Sequence, residues 1–168
     1  IILEQILERY RLRISSRDEA NEAFEELKNL SESLEVLRSK LHKKSKTTSQ
    51  QLGAATSYLA WIKYYIAWYS EDDLQAKESA QLFAEVLGAE KPDLSLVSFD
   101  YRSYDVGARA ILGIALCKSI MGSHESYLPW INELDSLDTS ISVQRLVPLW
   151  KFYLLIDNKK WKEISQEL

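Results

Sequence analysis

A single cysteine, Cys117, in 168 residues rules out an internal disulfide framework. It stands in the apolar run ILGIALC, where a thiol is expected to be buried and inert, with no histidine nearby to activate it. Histidine is almost as scarce. His42 and His124 are isolated from one another, with no second histidine or paired carboxylates at metal-ligand spacing, so no metal site is expected. Three prolines and five glycines are too few for a loop-rich or sheet-rich chain. Leucine, glutamate, lysine and alanine are plentiful instead, and that balance favours helix. Nor is there a basic excess: 21 Lys and Arg stand against 25 Asp and Glu, a net charge of −4. A dedicated nucleic-acid binder needs a basic surface, so that class is disfavoured.

Long hydrophobic runs are missing too. LAWIKYYIAWY, residues 59–69, has one charge in eleven residues, but Ser49, Gln50 and Gln51 precede it and Ser70-Glu71-Asp72-Asp73 follows. A spanning helix needs about 20 apolar residues. The run ILGIALCKSIM, residues 111–121, is short for the same reason. No secretory n-region or cleavage site is visible, so a reducing, intracellular compartment is the default. The chain opens Ile1-Ile2-Leu3 without methionine, which reads as an excerpt of a longer protein, or one whose leading residues precede the numbering.

What is present is helical periodicity. Residues 1–14 place Ile2, Leu3, Ile6, Leu7, Tyr10 and Ile14 on one face, and Ser16 with Glu19 forms a capping box for the next helix. Over 17–44, Ala20, Ala23, Leu27, Leu30, Leu34, Leu37 and Leu41 take steps of three and four, the a and d positions of a coiled coil. Glutamates crowd its first half, and Arg38, Lys40, Lys43, Lys44 and Lys46 its end, as the helix dipole favours. After a short turn the next helix carries an aliphatic stripe (Leu52, Ala55, Leu59, Ile62, Ile66, Tyr69) and an aromatic one (Tyr58, Trp61, Tyr65, Trp68) about 100° away. Apolar over that much surface, it is expected to lie between two neighbours, its aliphatic stripe on the heptad face in an antiparallel hairpin.

A helix with Leu74, Ala76, Ala80, Phe83, Ala84 and Leu87 follows, capped by Gly88. Residues 94–101 read as extended, as a short helical turn or as a buried connection, and no strand is assigned because a lone one would have no partner. Residues 104–121 form a helix with little polar face, in which Gly107 and Gly113 admit a close neighbour. Gly122 ends it, and a shorter helix carries Leu128, Trp130, Ile131, Leu134 and Leu137, with Pro129 near its start. Residues 136–142 connect to a buried helix over 145–156 containing Pro148; after a turn at 157–160, a last helix begins near Trp161.

The turns at Gly122 and Asn158 are 36 residues apart, and each long apolar helix precedes a shorter amphipathic one. Leu112-Gly113 followed by Leu116 resembles the first-helix motif of tetratricopeptide-type helical repeats. Arg109 stands where that family has tryptophan, the turn is longer, and the second-helix alanine and phenylalanine are out of register. The resemblance covers about the last two thirds of the chain and implies binding of a protein or peptide partner, with no individual binding residues carried over.

The expectation is therefore all-α: seven or eight helices and no sheet, as antiparallel hairpins stacked into a short α-solenoid or bundle. One domain spans 1–168, with an N-terminal heptad hairpin in 1–47 and repeat-like hairpins in 48–168. No catalytic, cofactor-binding or metal-ligating residue is assigned. The aromatic stripe is expected to be core, with a ligand pocket or peptide groove as the sharper reading. The basic run from Arg38 reads as a solvated helix end, Glu71-Asp72-Asp73 as cap and turn, and Asp100 and Asp105 have no supporting base or nucleophile. The expected function is a non-catalytic interaction module, monomeric or weakly dimeric through its ends. The alternatives are an assembly domain joined through its terminal helices and, behind it, a helical enzyme or ligand-binding protein with an aromatic pocket.

Overall fold

The computed structural model describes residues 17–43, 49–97, 104–122 and 124–136, and positions 140, 144, 145, 147–149, 151 and 154. Among them five α-helices have defined bounds, α1 (Arg17–Lys43), α2 (Ser49–Ser70), α3 (Asp73–Val86), α4 (Asp105–Ile120) and α5 (His124–Asp135); positions 144, 147–149, 151 and 154 are helical as well, and no described residue is in a strand. The fold class is all-α, as expected. The 1–14 helix, the Ser16–Glu19 capping box and the helix after Trp161 lie outside the described residues. Of the ambiguous stretch after residue 93, Leu94–Leu96 is a 3-10 turn capped by Asp93, and Val97 is buried.

Each helix packs on the next in sequence, and α2 also packs on α4. This explains why α2 and α4 have so little polar face. Both are flanked by three neighbours, α2 by α1, α3 and α4, and α4 by α3, α5 and α2. The main core fills the space between α2 and α5 with Leu59, Phe83, Leu87, Ile111, Ile114, Tyr127, Trp130 and Leu134, and takes in Val147 and Leu154 from beyond α5. A smaller cluster joins α1 to α2: Ile62 and Ile66 are buried under Phe24, Leu27, Leu30 and Leu34.

The connections follow from their end residues. Glu71 adopts φ 53 after α2, and the Asp72 amide donates back to the Ala67 carbonyl at 3.1 Å, closing a left-handed helix end. The Asp72 carboxylate then caps α3, accepting from the Leu74 and Gln75 amides at 2.8 and 3.2 Å. Gly88, at φ 72, ends α3 in the same way, with Ala89 donating to the Ala84 carbonyl. Gly122, at φ 64, ends α4.

Four expectations are corrected. Leu37, expected on the seam, is 45% exposed, while Ser31, at neither an a nor a d position, is buried; Ala23 is buried as expected. A straight helix drifts about 20° per heptad, so a leucine two heptads beyond Ala23 has turned away from α2. Arg38 is not a solvated end: it donates to Thr56 Oγ1 at 3.2 Å and pairs with Glu85, bridging α1 to α2 and α3. Leu74, in the first turn of α3, is exposed. Pro129 lies past the first turn of α5, inside the helix.

Candidate interaction surface

The aromatic residues of α2 divide in two. Trp61 is rooted in the core: its ring meets Phe83 edge-on, centroids 4.9 Å apart, and Tyr64 edge-on at 5.8 Å. Tyr65 continues the cluster, 6.3 Å from Trp61 and 5.2 Å from Tyr64. The two ends of the stripe are different. Tyr58 is 40% exposed and Trp68 59% exposed. The expectation that the whole stripe is core is corrected: i, i+3, i+7 spacing keeps four residues on one face, but the neighbouring helices cover only the middle of it. Tyr69, on the adjacent stripe, stacks on Phe24 at 4.7 Å and donates to Asn21 Oδ1 at 3.1 Å, which ties the end of α2 to the start of α1.

The chemistry around this face is distinctive. α2 contains no Asp, Glu or Arg, and its one lysine is buried. The exposed positions beside the aromatics are Gln50, Gln51 and Ala54. A solvent-facing helix surface ordinarily carries charges of both signs. Here tyrosine and tryptophan stand on an uncharged face, the composition enriched at the centres of protein interfaces.

Lys63, the single charge of the stretch, had no assignable role in the sequence. It points between α1 and α3, where Nζ donates to Glu35 and Glu78, each at 2.8 Å. Burial opposes its charge, but the hydrogen bonds and attraction from Glu35 and Glu78 outweigh it and hold its pKa above the ordinary lysine value. A second polar link is fully buried. Cys117 of α4 donates to Ser79 Oγ of α3 at 3.2 Å, and Ser79 donates to the Ala60 carbonyl of α2 at 2.8 Å. Burial pushes the Cys117 thiol up to about 12, so it is inert as a nucleophile.

The remaining sequence candidates are dispersed. Asp105, at the start of α4, accepts from the Ser140 amide at 3.2 Å and from its hydroxyl at 2.8 Å, a tie between segments. Asp100 and the side chain of His124 lie outside the described residues, and His42 is exposed at the end of α1. Among the described residues no group of histidine, cysteine, aspartate or glutamate is arranged to hold a metal ion. No described helix is long and apolar enough to cross a membrane. A shallow cleft between the α3–α4 connection and α5 is lined by Lys91, Pro92, Asp93, Leu94, Lys118 and Trp130. Hydrogen bonds from Ser95 lower the pKa of Asp93 there. No protein-family model, curated protein or solved structure matches the chain.

Proposed function

We propose that this chain is a non-catalytic protein–protein interaction module that receives a peptide or partner domain on the aromatic face of α2. One observation carries the reading: Tyr58 and Trp68 are exposed on a helix whose outer face bears no charge, while Trp61 between them is locked to Phe83. Rigid aromatics on a fixed scaffold bind with little loss of side-chain freedom. The likeness to tetratricopeptide-type repeats supports the same use, as does the succession of helices in which α2 and α4 pack side by side.

The test is affinity capture from the source organism's lysate with the wild-type chain and with Tyr58→Ser/Trp68→Ser. The variant is expected to keep the wild-type circular dichroism and melting point and to lose proteins that the wild type retains. Identical capture by a folded variant would remove the aromatic face from consideration.

A further inference from the structure

We propose that the outer flank of α1 pairs with the same flank of a second copy of this chain, antiparallel and centred on Ser33. The inference is independent of the aromatic face of α2. α1 is the longest described helix, at 27 residues, and it packs chiefly on α2. The heptad drift leaves Leu37 exposed on the flank turned away from α2, and Leu30, which packs on Ile62 and Ile66 with one side, half-covered at the edge of that flank. Glu26, Asn29 and Ser33 border Leu30 on this flank, with Leu27 at its edge toward α2.

The charge pattern selects the occupant. Exposed Glu22, Glu25, Glu26 and Glu32 precede Leu37, and exposed Lys40 and Lys43 follow it; against this pattern stand Arg17 at the start of α1 and Lys28, which is paired with Glu25 at 2.8 Å. A parallel copy would set acid on acid and base on base. An antiparallel copy sets the acidic half of each helix on the basic half of the other. With Ser33 on the two-fold axis, Leu30 faces Leu37 of the second copy and Glu26 faces Lys40. The Leu30–Leu37 contact is then made twice, once on each side of the axis, because a two-fold contact is made from one patch used by both partners. Ser33 suits the axis. It is small, and its hydroxyl proton is already given to the Asn29 carbonyl at 2.9 Å, so a second helix can approach closely without stranding that donor. One helix flank makes a contact at the small end of the interface range, so the dimer is a weak one.

Cysteine cross-linking of the whole chain reads the register, and buried Cys117 does not compete. Under mild oxidation Ser33→Cys is expected to form a covalent dimer. Glu26→Cys and Lys40→Cys are each expected to stay monomeric alone and to cross-link when mixed. In sedimentation equilibrium from roughly 5 to 500 μM, the wild type is expected to dimerise, and Leu37→Asp to associate about tenfold less tightly or worse with unchanged helicity. A wild type that stays monomeric throughout overturns the proposal, as when another segment of the same chain covers the flank. So does a dimer that cross-links through Lys40→Cys alone, or one that Leu37→Asp leaves intact.

Discussion

The Phe83 ring of α3 occupies the space where a side chain on Gly113 of α4 would begin. Trp61 of α2 rests against the same ring, so three helices converge on a position that tolerates no methyl group. Phe83 is fully buried and cannot swing aside. Gly113→Ala is expected to destabilise the fold by about 1–3 kcal/mol despite alanine's better helix propensity. Adding Phe83→Leu to Gly113→Ala should cost less than the sum of the two single changes. Additive losses in a urea-denaturation double-mutant cycle would show that the contact is not the cause.

The two tryptophans of the α2 stripe should part company. Trp61→Ala removes a ring packed on Phe83 and should cost about 3–4 kcal/mol. Trp68→Ala acts on a side chain that is 59% exposed and should change stability by about 0.5–1 kcal/mol at most. Thermal melts of the two variants measure the difference directly, and equal losses would contradict the division of the stripe into core and surface.

The Lys63 node should respond unequally to removal of its two sides. Glu35 and Glu78 are about half exposed and can turn to water if the lysine is lost, so Lys63→Met should cost no more than about 1 kcal/mol. Glu35→Gln/Glu78→Gln leaves a largely buried ammonium with no counter-charge and should cost about 2–3 kcal/mol. Chemical denaturation at neutral pH ranks them; the reverse order would mean that packing of the lysine stem dominates.

Glu71 holds a left-handed backbone conformation that a side chain disfavours, at φ 53. Its position after α2 is the one that glycine fills after α3 and α4. Glu71→Gly should therefore stabilise the protein by about 0.5–1 kcal/mol, with Asp72 still capping α3. A lower denaturation midpoint for this variant would mean that the glutamate side chain makes an offsetting contact.

Alkaline pH should weaken the fold in two stages. The Cys117 thiol is raised to about 12, against an unfolded value near ~8.5, so its contribution is complete below that value and fades as pH rises toward the folded one. Lys63 is also raised, so its contribution is complete below the unfolded lysine value of ~10.4 and is lost as pH rises through its folded pKa. Urea midpoints should start to fall above about pH 8.5. Cys117→Ala should delay the onset to the lysine range. An unchanged onset in that variant would separate the thiol from the effect.

Much of this architecture is legible in the residue pattern, and the failures have physical causes. The α1–α2 hairpin follows from matched stripes and a short connection, and Gly113 announced a close neighbour. Periodicity reports which residues share a face, but not how much of that face a neighbour covers; Tyr58 and Trp68 were misplaced for that reason. The heptad pattern predicted a seam along Leu37, and a straight helix does not keep to one. Lys63 and Arg38 were opaque because their partners are distant in sequence: Glu78 is 15 residues from Lys63, and Glu85 is 47 from Arg38. The absence of charge from the outer face of α2 was visible in the letters. It acquired meaning only when exposure showed that the face meets water.

Packing between neighbours in sequence has a consequence for how the chain reaches this state. α1 meets α2, α2 meets α3, α3 meets α4 and α4 meets α5, and the main contact that skips a helix among the described residues joins α2 to α4. Each contact closes a short loop, so little chain entropy is lost before it is repaid. A ribosome releasing this chain from its N-terminal end would present every helix with its partner within one hairpin's length. Structure can therefore accumulate in the order of synthesis, with Phe83 held against Trp61 until Gly113 arrives to close its other side.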